Sequence, residues 1–241
     1  MTDYARSAIH ASRPDAECIM ISPFMDILTI TIQCLGTVSA YLLGAIPFGF
    51  LIARGKGIDI RTVGSRNTGA TNVFRCVGKP WGIATFILDM AKGAAACRTI
   101  PWLLTLVAGA SDRPGVTPLH VFCGCLAVAG HNWPVFLGFK GGKGVATSAG
   151  LLLALTPSGC GIALLAWLLT LGLTRYVSLA SIAAAVALGI AAWPLYLADV
   201  GPWFPVVLDG LAALAIWRHR ANIQRLQAGT EPRIHFGSKA P

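Results

Sequence analysis

The sequence predicts an all-α integral membrane protein, a compact bundle of about seven transmembrane helices, some short, with its N-terminus outside and its C-terminus cytoplasmic. Three observations predict it. Of 241 residues, 55% are hydrophobic and only 12% are charged, about half the charged share of a globular domain. The mean hydropathy is +0.66. The basic residues collect in three clusters, separated by long apolar windows. This composition excludes a disordered chain and argues against an ordinary soluble enzyme. In so apolar a chain, the net charge of +9 reads as topology and phosphate handling, with no nucleic-acid partner. The cysteines (Cys18, Cys34, Cys76, Cys97, Cys123, Cys125 and Cys160) form no CxxC and have no His at zinc spacing, so they read as small apolar residues and no metal site is expected.

Residues 1–23 hold Asp3, Arg6, Arg13, Asp15 and Glu17 and no apolar run long enough for a signal peptide, so they form a polar tail. A membrane domain is expected over 24–217 and a basic cytoplasmic segment over 218–241. Residues 27–53 carry no charge, which exceeds the roughly 20 residues needed to cross a bilayer. Residues 81–110 are apolar apart from Asp89, Lys92 and Arg98, and 114–139 apart from two histidines. Residues 144–174 are uncharged with a break at Pro157; 176–198 is a clean span, and 200–217 carries Asp209. Short cytoplasmic loops collect Lys and Arg. All three basic clusters (54–79, Lys140 with Lys143, and the tail after Trp217) fall inside only if 144–174 crosses twice. Each half is then about 12 to 14 residues, short of a full span.

Three polar segments carry the candidate chemistry. In the first, 63–75, small residues let backbone N–H groups converge, Ser65, Asn67, Thr71 and Asn72 add neutral donors, and Arg75 supplies a fork suited to phosphate. A flexible topological loop has the same composition. The second runs from Gly130-His131 to Thr147, with Lys140-Gly141-Gly142-Lys143-Gly144 as a compact anion cradle or a plain turn. It is not a nucleotide-hydrolysing loop, because Leu137 stands where GxxxxGK[ST] needs its first Gly. The third, 218–232, places Arg218, Asn222 and Arg225 on one face if it is a single helix. On composition alone it is a basic juxtamembrane helix for anionic lipid. Glu231 stands out there as a partner for an arginine. Asp89 and Lys92, three apart in an apolar span, read as a structural ion pair. His10-Ala-Ser-Arg-Pro-Asp15 matches HxxxxD by coincidence, since nothing in a polar tail positions an acyl chain.

Together these segments resemble one family. Gly64-Ser-Arg-Asn-Thr-Gly-Ala-Thr-Asn72, Gly130-His-Asn-Trp-Pro-Val-Phe-Leu-Gly-Phe-Lys-Gly-Gly-Lys-Gly-Val-Ala-Thr147 and His219-Arg-Ala-Asn-Ile-Gln-Arg-Leu226 are similar to the three signature motifs of the bacterial acyl-phosphate:glycerol-3-phosphate acyltransferases, the PlsY family. The likeness runs from about residue 27 to about 234 and includes Gly44-Ala-Ile-Pro-Phe-Gly49, Asp89-Met-Ala-Lys-Gly93 and Arg175-Tyr-Val-Ser-Leu-Ala-Ser181. The resemblance implies a multi-pass enzyme of the bacterial inner membrane, with its site facing the cytoplasm. It moves an acyl group from acyl phosphate to the sn-1 hydroxyl of glycerol 3-phosphate, giving lysophosphatidic acid and phosphate, without metal or other cofactor. It also implies catalytic roles for Ser65, Arg75, Lys140, Ser178 and Asn222. Substrate binding would fall to Asn67, Gly69, Ala70, Thr71, Asn72, His131, Gly141, Gly142, Lys143, Gly144, His219 and Glu231. Membrane lipid is the other expected partner, and oligomeric state is left open.

Physical chemistry supports that expectation. Both substrates are phosphates, so one site holds two anions, and clustered cations offset their repulsion. Acyl phosphate is an activated donor, so positioning and oxyanion stabilisation suffice for direct attack without an acyl-enzyme. The resemblance further implies that a substrate phosphate oxygen assists the deprotonation. Two positions depart from the family pattern: Arg66 replaces a usual Gly and Ala45 a usual Ser. The competing expectation, a transporter for a phosphorylated metabolite, calls for internal repeats, and the halves show none.

Overall fold

The computed structural model describes residues 23–107 and 116–234. The polar tail up to residue 22, its HxxxxD pattern, Cys18, the expected span boundaries within 108–115 and the last residues with Lys239 lie outside the described residues.

Among the described residues, all regular structure is helical. The helices are α1 (Pro23–Ala45), α2 (Phe48–Gly55), α3 (Ala70–Cys76), α4 (Lys79–Val107), α5 (Pro118–Asn132), α6 (Val145–Leu155), α7 (Pro157–Thr174), α8 (Val177–Val200), α9 (Trp203–Arg218) and α10 (Arg220–Gln227), with a 3-10 turn at Val135–Leu137. Proline marks the breaks. Pro47 divides α1 from α2, and Pro157, at the first position of α7, ends α6 because its ring cannot continue the preceding helix. Thr117 caps α5 by accepting the His120 N–H, with Pro118 at the first helical position.

Among the described residues, three stretches can cross a membrane by length and composition: Ile30–Gly55, Pro157–Thr174 and Val177–Val200. The break at Pro157 stands, but its halves are unequal. α6 has 11 residues and α7 has 18, so only α6 is too short to cross alone. α4 is long but carries Asp89, Lys92 and Arg98, while α5 and α9 have 15 and 16 residues.

The bundle packs α4 against α5 and α6, α1 against α4 and α5, and α8 against α7 and α9. Close approach depends on small residues. The Gly93 Cα lies against the Thr147 backbone and the Gly150 Cα against that of Met90 and Ala94, joining α4 to α6. Leu151, Leu188, Phe204 and Leu208 form the centre of the largest buried cluster. Outside, large apolar side chains face away from the protein, among them Leu35, Leu173 and Ile190, as a lipid-facing surface requires.

Candidate active site

The first polar segment is built around Asn72. This buried side chain accepts from the Ser65 N–H at 2.9 Å and donates to the carbonyls of Asn67 (2.9 Å), Ile60 (3.2 Å) and Val63 (3.2 Å). Its amide is thereby committed to shaping the loop before α3. Asn67 accepts from the Gly69 N–H at 2.8 Å and so sets the entry into α3, whose first turn holds Ala70 and Thr71. Ser65 is exposed at the loop tip. Arg66 beside it adopts φ of 57°, the left-handed region glycine favours, which accounts physically for the Gly expected there. Arg75, in the last turn of α3, donates to the Pro232 carbonyl at 3.0 Å, while its buried Nε has no hydrogen-bond partner among the described residues.

The second segment folds back under α5. The His131 carbonyl accepts from the Gly142 N–H at 3.0 Å, and the Gly142 Cα packs directly on the His131 ring, so only glycine fits there. His131 Nδ1 stands 3.5 Å from Asp89, which forms a buried 2.8 Å ion pair with Lys92. Lys92 also donates to the Ile46 carbonyl at 2.8 Å. The expected ion pair therefore exists, and it links α4, the α1–α2 break and the end of α5 on which the glycine loop packs. The two lysines of the loop part company. Lys140, expected among the catalytic residues, is exposed at the surface of the loop, whereas Lys143 turns inward and donates to Asn222 Oδ1.

The third segment corrects an expectation. It is not one helix: α9 ends at Arg218, the chain bends at His219, and α10 begins at Arg220. Arg218 consequently turns towards the glycine loop, while Asn222 and Arg225 meet Glu231. Glu231 is the hub: Ser178 Oγ and Asn222 Nδ2 donate to its Oε1 and Arg225 Nε to its Oε2, each at 2.7 Å. Its predicted arginine partner is Arg225. Burial alone would raise the Glu231 pKa, but these hydrogen bonds and the Arg225 charge outweigh it and hold the carboxyl below its usual value. Burial pushes the Lys143 ammonium down to about 8, against the pull of Glu231 and with the push of the neighbouring arginines. His219 is pushed down to about 4, by burial first and then by the Lys143 charge. Its Nδ1 lies 2.8 Å from the Ala215 carbonyl, which only accepts, so the neutral ring carries its proton there.

These residues form one electrostatic unit. Arg75, Lys143 and Arg225 gather around the Glu231 carboxylate, and Arg75, Arg218, Arg225 and Glu231 all act on the Lys143 charge. Three cations around one anion, with Arg218 close by, leave a surplus of positive charge around a half-buried space. Next to it opens a cavity of about 800 Å³, running between α4, α6, α7, α8 and α9. Thr71, Val177, Ala215 and Ile234 line its mouth beside the cluster, and its walls are almost wholly apolar. Its α7 wall extends from Cys160 to Gly172, about 18 Å at the helical rise.

Of the residues singled out from sequence, Asn222, Glu231, Ser178, Lys143, Arg75 and His219 converge. Ala70 and Thr71 line the cavity mouth, and Asn67, Gly69, Asn72, His131, Gly141, Gly142 and Gly144 shape the two loops. Ser65 and Lys140 lie at the exposed margin. Sequence reasoning missed Arg218 and Arg225 as site residues, having counted them as topological charges. It also missed Asn132 and Thr147, fully buried beside the glycine loop, whose side-chain polar atoms have no hydrogen-bond partner among the described residues. Both fall inside the second motif, which was the available signal.

Fold and site define a class: an integral membrane helical protein whose polar end surrounds one carboxylate with cations at the mouth of an apolar cavity. Comparison with known proteins is specific. The family model for glycerol-3-phosphate acyltransferase matches residues 34–229, and the chain belongs to that family. It is 46% identical over 200 residues to a glycerol-3-phosphate acyltransferase of Desulforudis audaxviator, covering 82% of this chain and 93% of that one. It is 45% identical over 199 residues to one of Aquifex aeolicus, covering 81% and 95%. Among solved structures, it is similar to the glycerol 3-phosphate form of PlsY, an integral membrane glycerol 3-phosphate acyltransferase, with a TM-score of 0.72, 42% identity and coverage of 84% and 96%. The lysophosphatidic acid form of PlsY gives a TM-score of 0.68 at 41% identity, with coverage of 84% and 95%.

Proposed function

We propose that this protein transfers an acyl group from acyl phosphate to the sn-1 hydroxyl of glycerol 3-phosphate, yielding lysophosphatidic acid and inorganic phosphate. The observation that carries this is the junction of a cationic cluster with an apolar cavity. The cluster suits two phosphates, and the cavity suits an acyl chain. A buried site with surplus positive charge is costly when empty and favours anions.

In the proposed reaction the acyl chain lies in the cavity, with its carbonyl at Thr71 and Val177. Arg75, Lys143 and the glycine-loop N–H groups hold the phosphates. The glycerol hydroxyl oxygen attacks the carbonyl carbon, the bond from that carbon to the phosphate oxygen breaks, and phosphate leaves. The proton passes to a substrate phosphate oxygen. His219, held neutral with so low a pKa, is too weak a base to compete for it. Ser178 and Asn222, fixed by Glu231, orient the substrates, and Asn72 and Asn67 shape the first loop. Ser65 and Lys140 meet substrate at the outer edge. No acyl-enzyme forms.

In the same proposal the bundle of 24–217 crosses the bacterial inner membrane about seven times, with α6 too short to cross alone. The N-terminus lies outside, and the 218–241 segment completes a site facing the cytoplasm. The test is lysophosphatidic acid formation by detergent-purified protein from labelled glycerol 3-phosphate, with acyl phosphate or acyl-CoA as donor. Product from acyl phosphate alone is expected. Product from acyl-CoA alone overturns the donor, and folded protein giving neither overturns the activity and points to a transporter.

A further inference from the structure

We infer that Arg218 is a positioning residue that registers the glycine loop against the α9–α10 junction, and that the loop's grip on the glycerol 3-phosphate phosphate depends on it. This rests on the acyltransferase reading above and adds a residue to it. The guanidinium is half-buried, and every hydrogen bond it makes among the described residues goes to backbone carbonyls of the second segment. Its Nε donates to Gly142 O at 3.1 Å, and its Nη2 donates to Asn132 O at 3.2 Å, to Gly141 O at 3.3 Å and also to Gly142 O. The Trp133 ring lies 5.5 Å below it. No carboxylate faces it among these contacts, so its charge is answered by carbonyl dipoles alone.

Those contacts determine which way the loop points. In a planar trans peptide the carbonyl and the following N–H face opposite directions. With Gly141 O turned to Arg218, the Gly142 N–H turns the other way and meets the His131 carbonyl at 3.0 Å. With Gly142 O also turned to Arg218, the Lys143 N–H faces away from the guanidinium and stays free of it. The loop is thus pinned between Arg218 on one side and His131 on the other, and neither Gly141 nor Gly142 has room for a Cβ. Arg218 is also one residue before His219 and four before Asn222, the acceptor for Lys143. One side chain therefore fixes the distance between the loop that carries Lys143 and the helix that receives it. A bare cation is not equivalent, because an ammonium keeps the charge but loses the planar fork and its stacking on Trp133.

The experiment compares wild type, Arg218→Gln and Arg218→Lys in detergent. It measures KM for glycerol 3-phosphate, KM for acyl phosphate, kcat and the thermal midpoint. Both variants are expected to raise KM for glycerol 3-phosphate at least tenfold, with KM for acyl phosphate moved less than twofold and the midpoint preserved. A lysine variant with wild-type KM would show that charge alone suffices and overturn the inference. So would equal shifts in both KM values, or unfolding of both variants, which would make Arg218 a structural residue. If only Arg218→Gln fails to fold, Arg218→Lys decides. A wild-type protein without turnover would instead sink the acyltransferase reading, before Arg218 is tested at all.

Discussion

Glu231→Gln isolates the hub of the site. The carboxylate accepts on both oxygens: from Ser178 and Asn222 on one, and from Arg225 on the other. A glutamine has one acceptor oxygen. Turned towards Ser178 and Asn222, it presents its NH₂ to the Arg225 Nε–H, donor against donor. Turned the other way, it keeps Arg225, Ser178 reverses to accept from the NH₂, and the Asn222 donor is left facing another donor. Either orientation forfeits one charge-assisted hydrogen bond, worth about 1.5–3 kcal/mol. The Arg225 side chain is 36% exposed and Glu231 only 3%, so water takes up part of the loss on the arginine side. About 2 kcal/mol remains, which lowers the thermal midpoint by roughly 4–8 °C in a chain of this size. Removing this carboxylate also leaves Arg75, Lys143 and Arg225 to repel one another, and turnover should fall at least tenfold. The sign with pH is fixed as well. The Glu231 pKa is held below its ordinary 4.5, so its contribution is present above that value and is lost as pH falls through the folded value. The glutamine variant should lack this acid-side loss. Thermal unfolding against pH in detergent, with initial rates in parallel, checks both. An unmoved midpoint together with unchanged turnover would refute the assignment of Glu231 as hub.

The two lysines of the glycine loop should separate cleanly: Lys143→Ala lowers kcat/KM at least a hundredfold, whereas Lys140→Ala costs less than tenfold. Comparable losses would contradict their placement. Because Lys143 titrates at about 8, it is charged below that pH and loses its charge as pH rises through it. KM for glycerol 3-phosphate should therefore climb above pH 8 by up to about tenfold per unit, and a flat profile from pH 7 to 9.5 would count against this role. Arg66→Gly relieves a left-handed backbone at an exposed position and should raise stability by about 0.5–1 kcal/mol, seen as a higher thermal midpoint. Ala163→Phe, on the α7 wall of the cavity, should cut rates with long acyl donors while sparing short ones, at about fourfold for each methylene that no longer fits. A uniform loss across chain lengths would place the acyl chain elsewhere.

Much of this protein is determined by pattern alone. An apolar window is a local property, and so is a proline break. The membrane class, the break at Pro157 and the polar character of the three loops are therefore legible residue by residue. The motifs are also local, and their order along the chain carries the family. The Asp89–Lys92 pair was legible because residues three apart on a helix share a face. Other features needed the folded chain. Which lysine of Lys140-Gly-Gly-Lys143 turns inward depends on how the loop folds under His131, and composition treats the two alike. That Arg218 braces a loop some 76 residues away follows from the bend at His219, which periodicity does not signal. Glu231 gathers Ser178 from α8 and Asn222 and Arg225 from α10, at separations of 53, 9 and 6 residues. Sequence specifies which side chains exist and how each helix is faced. Only tertiary packing brings charges from distant segments into one low-dielectric space, where a lysine titrates near 8 and a carboxylate stays ionised among cations.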